Sequence, residues 1–172
     1  MSITCNFVTF DVFTQTPFSG NPLAIVHLPP EGPSLNQEQK QKIAREFNYS
    51  ETVFLHPETS PRCRRVDIFT RFAEIPFAGH PVIGTAQHLR QYIASENNNE
   101  DVRNLRMIIK AGVVDVEFDD AGLAVAQVPH DLRLHEGWVG IDDILTQHPE
   151  LKSLKSDLPE RCPVVSSVKG MT

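Results

Sequence analysis

Cysteine is scarce in this sequence. Three residues in 172, Cys5, Cys63 and Cys162, make an odd number at wide spacing. That count fits neither a disulfide framework nor a zinc knuckle, and it leaves packing as the simplest role for the thiols. Long apolar runs are also absent. No stretch approaches bilayer length, and Met1-Ser2-Ile3-Thr4 lacks the basic and apolar regions of a signal peptide. The expectation is a cytoplasmic protein with no membrane partner. Clustered basic charge is limited to Arg62-Cys63-Arg64-Arg65, against a net charge of −6, which argues against a nucleic-acid partner. The 7 histidines include no H-x-x-x-H pair, so no metal is expected. A glycine-rich phosphate loop, a Gly-x-Ser-x-Gly elbow and a cysteine nucleophile beside a base are all missing, which weakens nucleotide and hydrolase readings.

What remains is an ordinary globular composition, 40% apolar and 22% charged, of a length for one domain with a proper core. From Asn6 to Phe13 the alternation of Val8, Phe10 and Val12 predicts a half-buried strand, and Leu23 to Val26 an antiparallel partner. Ser34 and Gln37 have the spacing of a capping box, which places Ser34 as N-cap of a helix to about Phe47, with Ile43, Ala44 and Phe47 inward and Asn48 as its left-handed stop. Thr52–Leu55 and Arg65–Thr70 read as strands separated by a turn at PETSP. Pro81 suits the first position of a helix to about Ile93, whose small residues Gly84, Thr85 and Ala86 let other segments approach on more than one side. Such a helix fits inside a curved sheet. After the polar run SENNNED, the segments 105–110, 113–118 and 123–128 read as a strand meander. Beyond it a linker holds a short helix near Ile141–Gln147, and a final strand-like stretch, Cys162–Val168, has no evident partner.

Three polar turns offer chemistry. Glu51, between a helix end and the apolar Val53-Phe54-Leu55, is either a carboxylate that burial would push into the range of proton transfer or a strand-edge carboxylate with a surface hydrogen bond. Gly79-His80-Pro81 opens a helix whose free N–H groups favour an anion, while His80 can relay a proton; equally, its imidazole can cap a carbonyl in a structural turn. Ser19-Gly20-Asn21-Pro22 adds an amide that both donates and accepts.

The segments DVFTQTPFSGNPLAIV, IAREFNYSETVFL and FTRFAEIPFAGHPVIGTA, in that order, together with LRMIIKAGVVDVEFDDAG, resemble the phenazine-biosynthesis PhzF-like family over roughly the first 130 residues. The resemblance implies an α+β fold, a curved and mostly antiparallel sheet wrapped around a central helix, as in one half of a diaminopimelate epimerase-like protein. Residues 1–130 would form this N-terminal domain, 131–160 a linker with a short helix, and 161–172 the start of a second domain cut short. It also implies a cofactor-independent isomerase or epimerase moving a proton on a small carboxylate-bearing metabolite. Glu51 would be the acid/base, His80 its assisting group, and Asn21, Gly79 and Pro81 substrate contacts. Neither turn carries the cysteines of the epimerases themselves, which disfavours a thiol racemase. The family's second half brings an Asp and a Gly-Ser turn across the cleft. Three arrangements stay open: a half-length protein that pairs with a copy of itself as a homodimer, a truncated product lacking activity, and a half that works with a separate partner; the alternative function is a non-catalytic or partner-dependent binding domain.

Overall fold

A computed structural model describes residues 2–96, 101–128 and 130–166, in two compact units that divide at Pro129. Unit 1 is one sheet with two helices. Strands β1 (Asn6–Val12) and β2 (Asn21–His27) pair antiparallel, and β2 continues in parallel onto β3 (Glu51–Ser60). Next come β4 (Cys63–Thr70), with the two-residue β5 (Glu74–Ile75) on one side, then β6 (Asn104–Ile109), β7 (Gly112–Phe118) and β8 (Ala124–Ala126), so the sheet order is β1-β2-β3-β4-β6-β7-β8.

Strand alternation sends side chains to two cores. On one face Val26, Phe54 and Phe69 pack with Leu28 and with Ala44 of helix α1 (Gln37–Phe47). The intervening Ile25, Val53 and Ile68, equally buried, point the opposite way, towards helix α2 (Gly79–Glu96). Helix α2 packs against β1, β2, β3 and β8, at both ends of the strand order, and Pro81, Val82, Gly84, Thr85, Ala86, His88 and Leu89 are all buried. The curved sheet therefore wraps around it. A Cβ on Gly84 would stand 2.7 Å from both Leu23 Cδ2 and Val12 Cγ2, so glycine here sets how closely the helix meets β1 and β2. Gly84→Val is expected to cost about 1–3 kcal/mol by overpacking, read as a lowered midpoint in urea.

Several boundaries differ from the sequence reading. The α1 cap is Asn36, not Ser34: its Oδ1 accepts from the Gln39 N–H at 2.9 Å, and Gln39 Oε1 accepts from the Asn36 N–H at 2.9 Å. Both sites have capping-box spacing, and capping at Asn36 leaves Leu35 free to pack on the apolar cluster under α1. The stop at Asn48 is left-handed as expected, with φ 54°. β3 runs through PETS to Ser60, and the reversal falls at Pro61-Arg62. Pro57 is accommodated because β3 advances three residues from Leu55 to Glu58 while β4 advances two, from Val66 to Arg64, a bulge that releases it from the ladder. Helix α2 begins at Gly79, two residues before Pro81, and extends to Glu96; of the rest of the expected loop, 97–100 lie outside the described residues and Asp101 is in neither a helix nor a strand.

In unit 2, β9 (Arg133–Gly140) pairs antiparallel with β10 (Arg161–Ser166), joined through helix α3 (Ile141–Gln147) and a 3-10 helix, Pro149–Asp157. The segment read as structureless before Ile141 is thus a strand, and it supplies the partner that the last strand seemed to lack. Residues 167 and 168 of that expected strand lie outside the described residues. No helix among the described residues is long and apolar enough to cross a membrane.

One contact under α2 makes stability depend on pH. His27 Nε2 and His88 Nε2 are 2.7 Å apart, with Tyr92 and Phe10 against the rings. One ring must accept while the other donates, so a second proton has no place. Burial, then the neighbouring His27 charge, pushes His88 down to about 4; burial, then Arg64, lowers His27. Folded values below the unfolded value near 6.5 give stability that is complete above that pH and falls as pH drops towards about 4. The pair is expected to contribute on the order of 2 kcal/mol to that decline, and His88→Gln to flatten it in a series of thermal melts at stepped pH.

Candidate active site

The polar turns converge at one end of the sheet. Parallel pairing sets Leu23 of β2 beside Glu51, the first residue of β3, and antiparallel pairing sets Thr70 on its other side. By alternation Glu51 shares the face of Val53 and Leu55, the face towards α2. His80 stands in the first turn of α2 and brings its Nε2 to 3.4 Å from Glu51 Oε2. Both side chains are mostly enclosed, at 17% and 11% exposure, and these two facing atoms are buried without a hydrogen-bond partner. The two residues named from sequence as the reactive pair are therefore brought together. Burial lowers the His80 imidazole, opposed by the Glu51 charge and by a hydrogen bond to the Pro22 backbone.

The helix start is open for a ligand. The first intrahelical bond runs from the Val82 N–H to the Ala78 carbonyl at 3.4 Å, so the N–H groups of Gly79 and His80 precede the helical ladder, and Pro81 has none. A Cβ on Gly79 would meet nothing within 4 Å. Neither packing nor a left-handed φ requires glycine there; the empty volume lies beside the unladdered N–H groups. Pro81 itself is buried. Asn21 is exposed at the start of β2, opposite Val12. The turn before it is fixed by the Asp11 carboxylate, which accepts from the Phe18 N–H, and by Gly20, whose Cβ would collide with the Val12 carbonyl oxygen at 2.4 Å.

Sequence reasoning named Asn21 in this turn but missed Thr70, which pairs beside Glu51. No local signal could have found it, since its place beside Glu51 depends on the β3–β4 register.

The architecture, a curved sheet around one helix, is one half of a diaminopimelate epimerase-like fold. The structure of a predicted epimerase from Pseudomonas aeruginosa is similar to it at TM-score 0.65 and 25% identity, over 95% of this chain and 56% of that one. The family model "Phenazine biosynthesis-like protein" matches residues 10–130, which contain all the site residues above, and the chain belongs to that family. An uncharacterized isomerase of Pasteurella multocida is 40% identical over 152 residues, 87% of this chain and 48% of the relative. The trans-2,3-dihydro-3-hydroxyanthranilate isomerase of Pseudomonas fluorescens is 41% identical over 81 residues, 47% of this chain and 28% of that enzyme. The chain thus spans about half, or less, of the length of these curated relatives.

Proposed function

We propose that this chain carries the proton-transfer wall of a cofactor-independent isomerase acting on a small carboxylate-bearing metabolite. The observation that carries the reading is the buried Glu51–His80 contact at 3.4 Å, with its facing oxygen and nitrogen unpartnered in the protein, beside a helix start with unladdered N–H groups. Buried polar atoms without partners carry a desolvation cost of about 1–3 kcal/mol each, and a reacting substrate is what would satisfy them. Glu51 is the acid/base that takes a proton from one substrate position and returns it to another. His80 assists it, and the N–H groups at Gly79 and His80 receive the substrate carboxylate, favoured by the helix dipole. Pro81 holds that first turn in place, and the Asn21 amide closes the site from the β1–β2 turn.

Relatives named as isomerases support the class of reaction, and one is named for trans-2,3-dihydro-3-hydroxyanthranilate. That compound, a cyclic carboxylate, is the natural probe. Incubated with the protein in D2O, it is expected to take up solvent deuterium at carbon, followed by NMR; no uptake by this or related cyclic carboxylates overturns the reading. The open space at Gly79 gives a second test. Gly79→Leu is expected to leave the melting temperature within about 2 °C, since nothing is displaced, and to raise KM at least tenfold by filling the carboxylate's place.

A further inference from the structure

Thr70 is the β4 residue opposite Glu51, and its hydroxyl is fully occupied within the protein. Its Oγ1 accepts from the N–H groups of Phe72 and Ala73, each at 3.1 Å, and donates to the Ala73 carbonyl at 3.1 Å. A hydroxyl has one proton and two lone pairs, so nothing is left over for a substrate. The Thr70 N–H also donates to the Ala73 carbonyl, at 2.8 Å. In a hairpin with Arg71 and Phe72 at its tip, the Ala73 N–H would ordinarily return that bond to the Thr70 carbonyl. Here the hydroxyl takes its place. The carbonyl is left for helix α1, where Gln41 Nε2 donates to it at 3.0 Å.

Gln41 is the middle one of three α1 side chains, spaced four residues apart and so on one face, that grip this hairpin. Gln37 Nε2 donates to Glu74 Oε2 at 2.8 Å, and Arg45 Nε to the Arg71 carbonyl at 3.2 Å. The β3–β4 ladder ends at the Glu51–Thr70 pair, so a shift of Thr70 passes to Glu51 with no further pair to resist it.

We propose that Thr70 is a positioning residue for the proton transfer: its hydroxyl closes the hairpin so that Gln41 can hold its carbonyl, which fixes the end of β4 beside Glu51. The inference deepens the proton-transfer reading and rests on Glu51 being the carrier. Without the hydroxyl, the Ala73 N–H competes with Gln41 for one carbonyl, the peptide between Thr70 and Arg71 turns, and Glu51 loses its fixed neighbour. The N–H groups that receive the substrate carboxylate belong to α2, whose first turn is held by the burial of Pro81 and Val82. Turnover therefore falls while substrate binding holds.

The test compares Thr70→Val, which keeps the shape of the side chain, with Thr70→Ser, which keeps the hydroxyl. In deuterium uptake by trans-2,3-dihydro-3-hydroxyanthranilate, Thr70→Val is expected to lower kcat about ten- to a hundredfold, the scale of a misplacement near 1 Å, and to change KM less than about twofold. Thr70→Ser is expected to keep kcat within about threefold of the wild type. Added to Glu51→Gln, Thr70→Val is expected to cost less than about twofold more, because a residue that acts through Glu51 has nothing to act on once the carboxylate is gone. The melting temperature of Thr70→Val is expected to stay within about 5 °C, since the freed N–H groups lie in an exposed turn. Amide hydrogen exchange, which needs no activity, is expected to show Ala73 less protected in Thr70→Val and unchanged in Thr70→Ser. Undiminished kcat in a folded Thr70→Val protein overturns the proposal. So does a loss that serine fails to restore, or one that adds in full to Glu51→Gln. Full uptake by Glu51→Gln defeats the functional reading and the proposal with it, whereas loss in Glu51→Gln with none in Thr70→Val defeats the proposal alone.

Discussion

Glu51→Gln is expected to abolish most proton exchange at substrate carbon, with a rate loss of about 10²–10⁴, and to leave the fold intact. The amide has the same shape and cannot accept a proton in the working pH range. Its structural cost is small because Glu51 Oε2 has no hydrogen bond to lose. The new N–H can donate to His80 Nε2, which stands 3.4 Å from that oxygen, so the thermal midpoint is expected to hold or rise. A paired measurement, deuterium uptake together with a melting curve, distinguishes this from a folding defect. Undiminished uptake in a folded Glu51→Gln protein excludes Glu51 as the carrier, whatever else binds at the helix start.

The part of this site that could be read in the sequence is the part built from local signals. Val8, Phe10 and Val12 alternate, so β1 was legible. Gly84, Thr85 and Ala86 are small, so the close approach to α2 was legible before the Leu23 and Val12 contacts were known. Gly79-His80-Pro81 combines a helix start with a titratable group, and Glu51 stands at a strand start. Illegible features depended on register or on distant partners. Pro57 argued against a strand through PETS, and only the bulge opposite β4 makes room for it. In β9, Gly137 and the charged Arg133 and Glu136 obscure any alternation, and its partner begins at Arg161, over twenty residues past its end. Two capping boxes overlapped between Ser34 and Gln39, and the packing of Leu35, a tertiary contact, favours the second. His27 and His88 lie 61 residues apart, and nothing local to either announces the other.

The same limit applies to the buried charge cluster on the opposite face of the sheet, where the second large effect is expected. Lys40, on the same face of α1 as Ile43, Ala44 and Phe47, is buried, and its Nζ donates to Asp67 Oδ2 at 2.6 Å with 7% and 6% of the two side chains exposed. His56 Nε2 reaches the same oxygen at 2.8 Å, and Arg65 Nε donates to Oδ1 at 3.1 Å. Burial opposes the charge on Asp67, but the hydrogen bonds from His56 and Lys40, and then their charges, outweigh it and hold the carboxyl well below the usual carboxylate range. Asp67→Ala removes the only anion in this arrangement and leaves the Lys40 ammonium buried against the Phe54 ring, 5.9 Å from its centroid. The expected cost is about 3–5 kcal/mol, because a buried charge that loses its partner keeps its desolvation penalty and loses the attraction that offset it. Lys40→Met is expected to cost less, since Asp67 keeps His56 and Arg65 and the thioether chain fills the space of the lysine stem. The acid limb gives an independent check. A carboxylate whose folded value is depressed contributes stability that is full above its unfolded value near 4 and is lost as pH falls below it. The wild type should therefore lose stability more steeply than Asp67→Ala below about pH 4 in urea titrations, and parallel acid limbs would show that Asp67 does not carry the charge that anchors α1 to the sheet.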